Sequence, residues 1–307
     1  VVTGVSGSGK SSLVGDTLYP LLRRHFDQPA ERPGDHVSFG GDLDGIKGVM
    51  FVDQESIGKS SRSNPVTYIK AYDEIRQLMA NQPLSRQMGY TAAFFSFNAD
   101  GGRCEECKGD GAIKVPMQFM ADLTVECEAC RGMRFKKEIL EVCFAGKNIH
   151  DILEMTVEEA VAFFKGNKQP RISRCLQPLM DVGLGYIKLG QTSSTLSGGE
   201  NQRVKLAYYL GAEKTEPTMF IFDEPTTGLH FHDIHILLSA FDALIKRGHT
   251  IVIIEHNMEI IKNADYMIDL GPEGGNGGGH LVAEGTPEEV AARGVGYTAE
   301  FLRPRLS

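Results

Sequence analysis

Residues 220–230 read FIFDEPTTGLH, and positions 219–222 are uninterrupted apolar side chains. Such a run has the composition of a strand buried on both faces of a parallel sheet. It ends in two adjacent carboxylates, Asp223 and Glu224, and then in Pro225, which cannot extend a ladder. In open α/β sheets, ligands lie just beyond the carboxyl ends of the strands. The chain therefore delivers two acids of alternating orientation to the place where a ligand belongs. One can hold a metal ion and the other can polarise a water. A solvated strand end reads the same way in isolation, so the other motifs decide.

Residues 4–11, GVSGSGKS, match G-x-x-x-x-G-K-[ST] between a short apolar run and a helical pattern over 11–22. Gly4, Gly7 and Gly9, with Ser6 and Ser8 between them, let backbone amides curl around phosphate oxygens, and the helix start with Ser12 favours anions. Lys10 is expected to reach the β- and γ-phosphates, and the Ser11 hydroxyl to ligate Mg²⁺. Residues 48–53, GVMFVD, form a second buried-strand candidate that ends at Gln54, a neutral amide able to ligate Mg²⁺ or position water. A third strand, 250–254, ends at Glu255, His256 and Asn257. A histidine there can sense a γ-phosphate by hydrogen bonding; a satisfied structural histidine is the plainer alternative. Residues 265–270 and 280–284 read as final strands around a glycine-rich loop, 271–279, before a capped helix with Pro287 at its first position.

Between these motifs, STLSGGENQRVKLA at 194–207 is a second glycine-rich start of a helix, built on Leu196, Ser197, Gly198, Gly199 and Glu200. It is expected to close over a nucleotide held by a different copy of the phosphate loop. Cys104, Cys107, Cys127 and Cys130 form C-x₂-C-x₁₉-C-x₂-C, the spacing of a four-thiolate zinc site, with a hairpin expected over 113–126. Whether such a zinc is structural or positions a functional hairpin stays open. Cys143 and Cys175 read as ordinary buried residues. Residues 59–68, KSSRSNPVTY, put Lys59 and Arg62 in a polar loop; phosphate contact competes there with a merely solvated loop. Arg131, Arg134, Lys136 and Lys137 form a second basic cluster. Amphipathic helices are expected over 68–80 and, with a Thr-x-x-Glu start, over 156–164.

The 307 residues suffice for a large core and more than one substructure. A hydrophobic share of 41% and a charged share of 23% are those of an ordinary globular chain. A net charge of −8 excludes a surface that is basic throughout, so nucleic acid would have to meet a local patch. No apolar run approaches the roughly 20 residues needed to cross a bilayer, and no signal-peptide pattern opens the chain, so a cytoplasmic location without membrane contact is expected. The chain starts inside an apolar strand, which reads as a piece of a longer protein.

GVSGSGKS, Gln54, LSGGE, FIFDEP, TTGLH and EHN, in this order, resemble the nucleotide-binding domain of the ABC ATPase superfamily. The cysteine insertion, RSNPVTY, FFSFN, LMDVGLGYIKLGQ and DLGPEGGNGGG narrow the resemblance to the C-terminal half of the UvrA family, damage-sensing ATPases of bacterial nucleotide excision repair. The resemblance implies an α/β fold: a P-loop ATPase core from 1–58 and 213–307, and a helical signature subdomain over 59–212 carrying a zinc module at about 98–140. It implies ATP, Mg²⁺ and Zn²⁺ as cofactors, with Asp223 orienting Mg²⁺, Gln54 on metal and water, Glu224 polarising the attacking water and His256 as γ-phosphate switch. Residues 196–200 would contact the opposite nucleotide, and the four cysteines would form a module for damage-dependent DNA handling. The implied partners are damaged duplex DNA, UvrB through a half absent from this sequence, and a second copy in a homodimer. A transporter ATPase subunit normally lacks the cysteine insertion. A paralogue serving drug protection or regulation would keep every motif, and that alternative stays open.

Overall fold

The short apolar runs that precede the motifs become strands: β1 (Val2–Gly4), β2 (Gly48–Val52), β3 (Ala112–Val115), β4 (Leu123–Glu126), β5 (Thr218–Asp223), β6 (Thr250–Ile254), β7 (Met267–Gly271) and β8 (His280–Gly285). This computed structural model describes residues 1–58, 60, 62–117, 123–212 and 216–306. The chain divides into two compact units, Val1–Glu55 with Ala212–Ser307, and Ser56–Gly211.

In the first unit the sheet runs β2-β5-β6-β1-β7-β8. Neighbours from β2 to β7 are parallel and β8 closes the edge antiparallel to β7. Phe220, Ile221 and Phe222 of β5 are buried on both faces, as their unbroken apolar run requires. Register sets the site. Phe222 pairs with Val52, Asp223 with Ile254, and Val2 with the same Ile254. The residues after β1, β2, β5 and β6 therefore all leave the sheet at its carboxyl edge. One core cluster joins Val2, Val14, Leu22, Val49, Ile221, Ile254 and Leu270. A second gathers Met267, Val290, Ala299 and Leu302 beneath the helices Pro287–Arg293 and Gly296–Leu306.

The helix expected after the phosphate loop is not a uniform α-helix. Ser12–Leu18 is π-helical and passes into an α-helix at Tyr19–His25. Pro20 explains the change, because it has no N–H to give to the carbonyl four residues back. That carbonyl, on Asp16, instead accepts from Gly34 N–H at 2.9 Å.

The second unit is mainly helical, with Ala71–Ala80, Val157–Gly166, Pro170–Asp181 and Gly198–Gly211 as its longer helices. The helix expected over 68–80 begins instead at Ala71, after a separate turn Pro65–Tyr68, because Lys70 is left-handed at φ 64°. Of the apolar face expected from Tyr68, Tyr72, Ile75 and Met79, the last three are buried in this helix, while Tyr68 falls in the separate turn and is half-buried. Thr156 and Glu159 form the reciprocal cap that the sequence suggests. β3 and β4 pair antiparallel, Ala112 opposite Glu126. One expectation fails: Cys143 is exposed and Cys175 half-buried, since neither falls on the inward side of its segment. Among the described residues no helix is long and apolar enough to cross a membrane.

Candidate functional site

The phosphate loop starts where β1 meets β7. A Cβ on Gly4 would lie 1.9 Å from the Leu270 carbonyl oxygen, so glycine is demanded by contact as well as by its φ of +136°. Lys10 folds back over the loop, its Nζ donating to the carbonyls of Gly4 at 3.2 Å and Val5 at 2.9 Å. It is 6% exposed, and burial lowers its pKa against the pull of Glu224, Asp223 and Asp269. The Ser8 hydroxyl is buried with no hydrogen-bond partner. Gly7 and Gly9 have positive φ, while Ser6, Ser11 and Ser12 are exposed. A buried cation and an orphaned hydroxyl within a glycine loop fit the phosphates of a nucleotide.

At the end of β5, Glu224 is left-handed at φ 44°. A non-glycine residue held this way stores about 1–3 kcal/mol of strain, and such strain concentrates at functional sites. Its N–H donates to the Ile254 carbonyl at 2.9 Å, and its carboxylate stands 3.6 Å from His256 Nε2. Gln54 Nε2 donates to the carbonyls of Asp223, 3.3 Å, and Glu224, 3.4 Å. Burial, and then the charge of Glu224, raise the Asp223 pKa, a situation that a bound divalent cation relieves.

Glu255, which sequence reasoning passes over, organises these strand ends. It is 2% exposed. One oxygen accepts from Thr226 N–H at 3.0 Å and Thr226 hydroxyl at 2.5 Å; the other accepts from the N–H groups of His256, 2.7 Å, and Asn257, 2.8 Å. The segments after β5 and β6 are thereby tied together. The one sequence signal was an acid where the apolar run stops.

In the second unit, Ser197 and Glu200 cap the helix Gly198–Gly211 reciprocally. The Ser197 hydroxyl accepts from Glu200 N–H at 3.2 Å, and Glu200 accepts from Ser197 N–H at 2.7 Å. Burial works against the Glu200 charge, yet hydrogen bonds from Tyr186 and Ser197 hold its pKa below the usual range. Leu196 and Gly199 are buried, Gly198 is half-buried and Ser197 is exposed. Asn201, also unmarked in sequence, holds the loop: its amide nitrogen donates to the carbonyls of Leu196, 3.2 Å, and Ser197, 3.1 Å, and its oxygen accepts from Ile57 N–H, 3.1 Å.

Cys104, Cys107, Cys127 and Cys130 lie buried with all four sulfurs within 4.8 Å of one another. Cys104 and Cys127 are 3.8 Å apart, Cys107 and Cys130 3.6 Å. Four sulfurs about 2.3 Å from a tetrahedral zinc stand about 3.8 Å apart, so the cluster fits that ion. The two halves repeat one backbone. Lys108 and Arg131, each directly after a second cysteine, are left-handed, and Gly109 and Gly132 follow with positive φ. Gly102 and Gly109 let the module approach the turn below it; a Cβ on either would lie 1.8 or 2.2 Å from the carbonyl oxygens of Phe94 and Phe97.

The basic residues are largely engaged. Arg62 pairs with Asp110 at 3.5 Å and donates to the Lys108 carbonyl at 3.1 Å, while Lys59 lies outside the described residues. Lys136 pairs with Glu105 at 2.5 Å, and Arg134 donates to the Gly190 carbonyl at 3.0 Å. Arg131 and Lys137 line a hollow together with Cys130.

The first unit's sheet and strand ends, on one chain with a Ser-Gly-Gly-Glu helix start, define an ABC-type ATPase domain. A family profile described as "ABC transporter" matches residues 111–227. Over 302 residues the chain is 53% identical to UvrABC system protein A of Neisseria meningitidis, covering 98% of this chain and 32% of that protein. The protein of the same name from Methanothermobacter thermautotrophicus is 54% identical over 306 residues, 100% of this chain and 31% of the relative. For that of Vitreoscilla stercoraria the figures are 53%, 100% and 54%. The crystal structure of UvrA2 from Deinococcus radiodurans superposes with a TM-score of 0.89 at 45% identity, over 100% of this chain and 36% of that one. The chain belongs to the UvrA family, as a segment spanning 31–54% of the length of these curated relatives.

Proposed function

We propose that this segment binds and hydrolyses ATP within a damage-recognition subunit of bacterial nucleotide excision repair. Its partners would be damaged duplex DNA, UvrB reached through other parts of the protein, and a second copy of the subunit. The observation that carries the catalytic reading is the strained Glu224, fixed by its own N–H on Ile254 and facing His256 at 3.6 Å. Lys10 and the loop amides hold the β- and γ-phosphates, and Ser11, Gln54 and Asp223 would ligate Mg²⁺, which spreads the charge developing on the phosphoryl oxygens. Glu224 accepts a hydrogen bond from the attacking water, Gln54 helps to place that water, and His256 donates to the γ-phosphate. The exposed Ser197, at the start of its helix, would contact a nucleotide on the opposing phosphate loop. Zinc on the four cysteines would fix the β3–β4 hairpin as a part of the DNA-handling surface.

The test replaces Glu224 with Gln in protein of the relatives' full length. ATP–Mg²⁺ binding should persist while turnover at this site falls about 10²–10⁴-fold. Undiminished single-site turnover would remove Glu224 from the role.

A further inference from the structure

The connection from β7 to β8, residues 272–279, reads PEGGNGGG and contains no group suited to phosphoryl chemistry beyond Glu273. It nevertheless lies backbone against backbone along the phosphate loop. Gly275 N–H donates to the Gly7 carbonyl at 3.0 Å, and Gly279 N–H to the Ser8 carbonyl at 3.0 Å. Gly274 and Gly278 have φ of −90° and −95°, which any residue can adopt, so their conformation does not require glycine. Proximity does. A Cβ on Gly274 would stand 2.5 Å from the Ser6 carbonyl oxygen, and one on Gly278 would stand 2.8 Å from the Glu273 carbonyl oxygen of the same segment and 3.0 Å from Ser8 Cα.

We propose that residues 272–279 are a positioning brace that sets the phosphate loop for its ligand, with Gly274 and Gly278 as the positions where side chains are excluded. In a planar trans peptide the C=O of one residue and the N–H of the next point to opposite sides. Holding the Gly7 carbonyl turns the Ser8 N–H the other way, where it closes onto the Val5 carbonyl at 3.2 Å. Holding the Ser8 carbonyl aims the Gly9 N–H away from the brace, toward the side left for an anion. The brace thus orients donors without touching the nucleotide. This inference rests on reading residues 4–11 as a phosphate site.

The experiment is equilibrium binding of a fluorescent ATP analogue with Mg²⁺ to Gly274→Ala, Gly278→Ala and Gly277→Ala, with site number and affinity fitted separately. Gly277 is the control, since a Cβ there would meet only the Glu273 side chain, at 3.3 Å. Gly274→Ala and Gly278→Ala should raise Kd about tenfold at full site number, a loss of about 1.4 kcal/mol. Gly277→Ala should leave Kd unchanged. A merely structural role would lower the number of competent sites and spare the affinity of those that remain. Equal affinity in all three variants, or equal loss in all three, would overturn the brace. Should both Gly274→Ala and Gly278→Ala fail to fold, hydrogen exchange on the unaltered protein decides. The Gly275 and Gly279 amides should exchange more slowly with nucleotide bound, and unchanged exchange would overturn the proposal. Absence of nucleotide binding by the unaltered protein would overturn the phosphate-site reading itself, and the brace with it.

Discussion

The nucleotide-binding unit and the cysteine module are held in shape by different physics. In the first, among the described residues, six strands and two apolar clusters fix where each strand ends, and the functional groups follow from register. In the second, β3 and β4 carry exposed Ile113, Val115, Leu123 and Val125, and what lies buried at the centre is four sulfurs. A core of Phe and Ile is self-sufficient. Four neighbouring thiols are not, and burial pushes the Cys107 and Cys130 thiols up, away from the thiolate form that a metal needs. One region is ordered by its own apolar core; the other is expected to depend on a metal at its four sulfurs.

The largest effect expected from this contrast is on zinc. The chain should carry one equivalent, and Cys107→Ser should remove nearly all of it, with about 10–16 kcal/mol of apparent metal-binding free energy withdrawn from the module. Metal analysis with hydrogen exchange reads this: protection should vanish over the cysteine module and persist in β5. Full metal content in the variant would break the four-sulfur assignment. Conversely, Phe222→Ala should lower the stability of the sheet unit by about 3–5 kcal/mol in denaturant titration, with zinc content unchanged. If zinc were lost as well, the two regions would not be independently ordered.

The smallest effect concerns DNA, in protein of the relatives' full length. Replacing Lys59 and Arg62 with Ala should weaken binding to intact and damaged duplex alike. It should also flatten the salt dependence by about one unit of slope per lost phosphate contact. Weaker binding with an unchanged slope would assign Arg62 to holding Asp110 and the cysteine module rather than a phosphate.

Much of this was legible because the motifs are local. A phosphate loop, strand-end acids and paired cysteines each lie within a few residues of sequence, and the apolar runs before them announce strands. What escaped reading depends on partners far along the chain. Glu255 looks like one acid among many until Thr226 turns back to it. Pro20 sits inside an acceptable helical pattern, and its consequence appears only when Gly34 arrives at the Asp16 carbonyl. Lys70 adopts a left-handed conformation that no propensity assigns to lysine. Arg62 read as a cation for phosphate or for solvent because Asp110, its partner, lies beyond three α-helices and a 3-10 turn. The glycines at 274 and 278 looked like ordinary turn residues, whereas their use is to let one backbone lie on another.

The cross-strand register of the small ribbon carries one more consequence. Ile113 stands opposite Val125 and Val115 opposite Leu123, so one face is oily while Lys114, Thr124 and Glu126 mark the other. Among the described residues each of these strands pairs with one neighbour, leaving an open edge on either side. Open edges beside an oily face are templates for self-association. Chelation, by releasing these four exposed apolar side chains from the ordered ribbon, should therefore be followed by turbidity before any loss of the sheet unit.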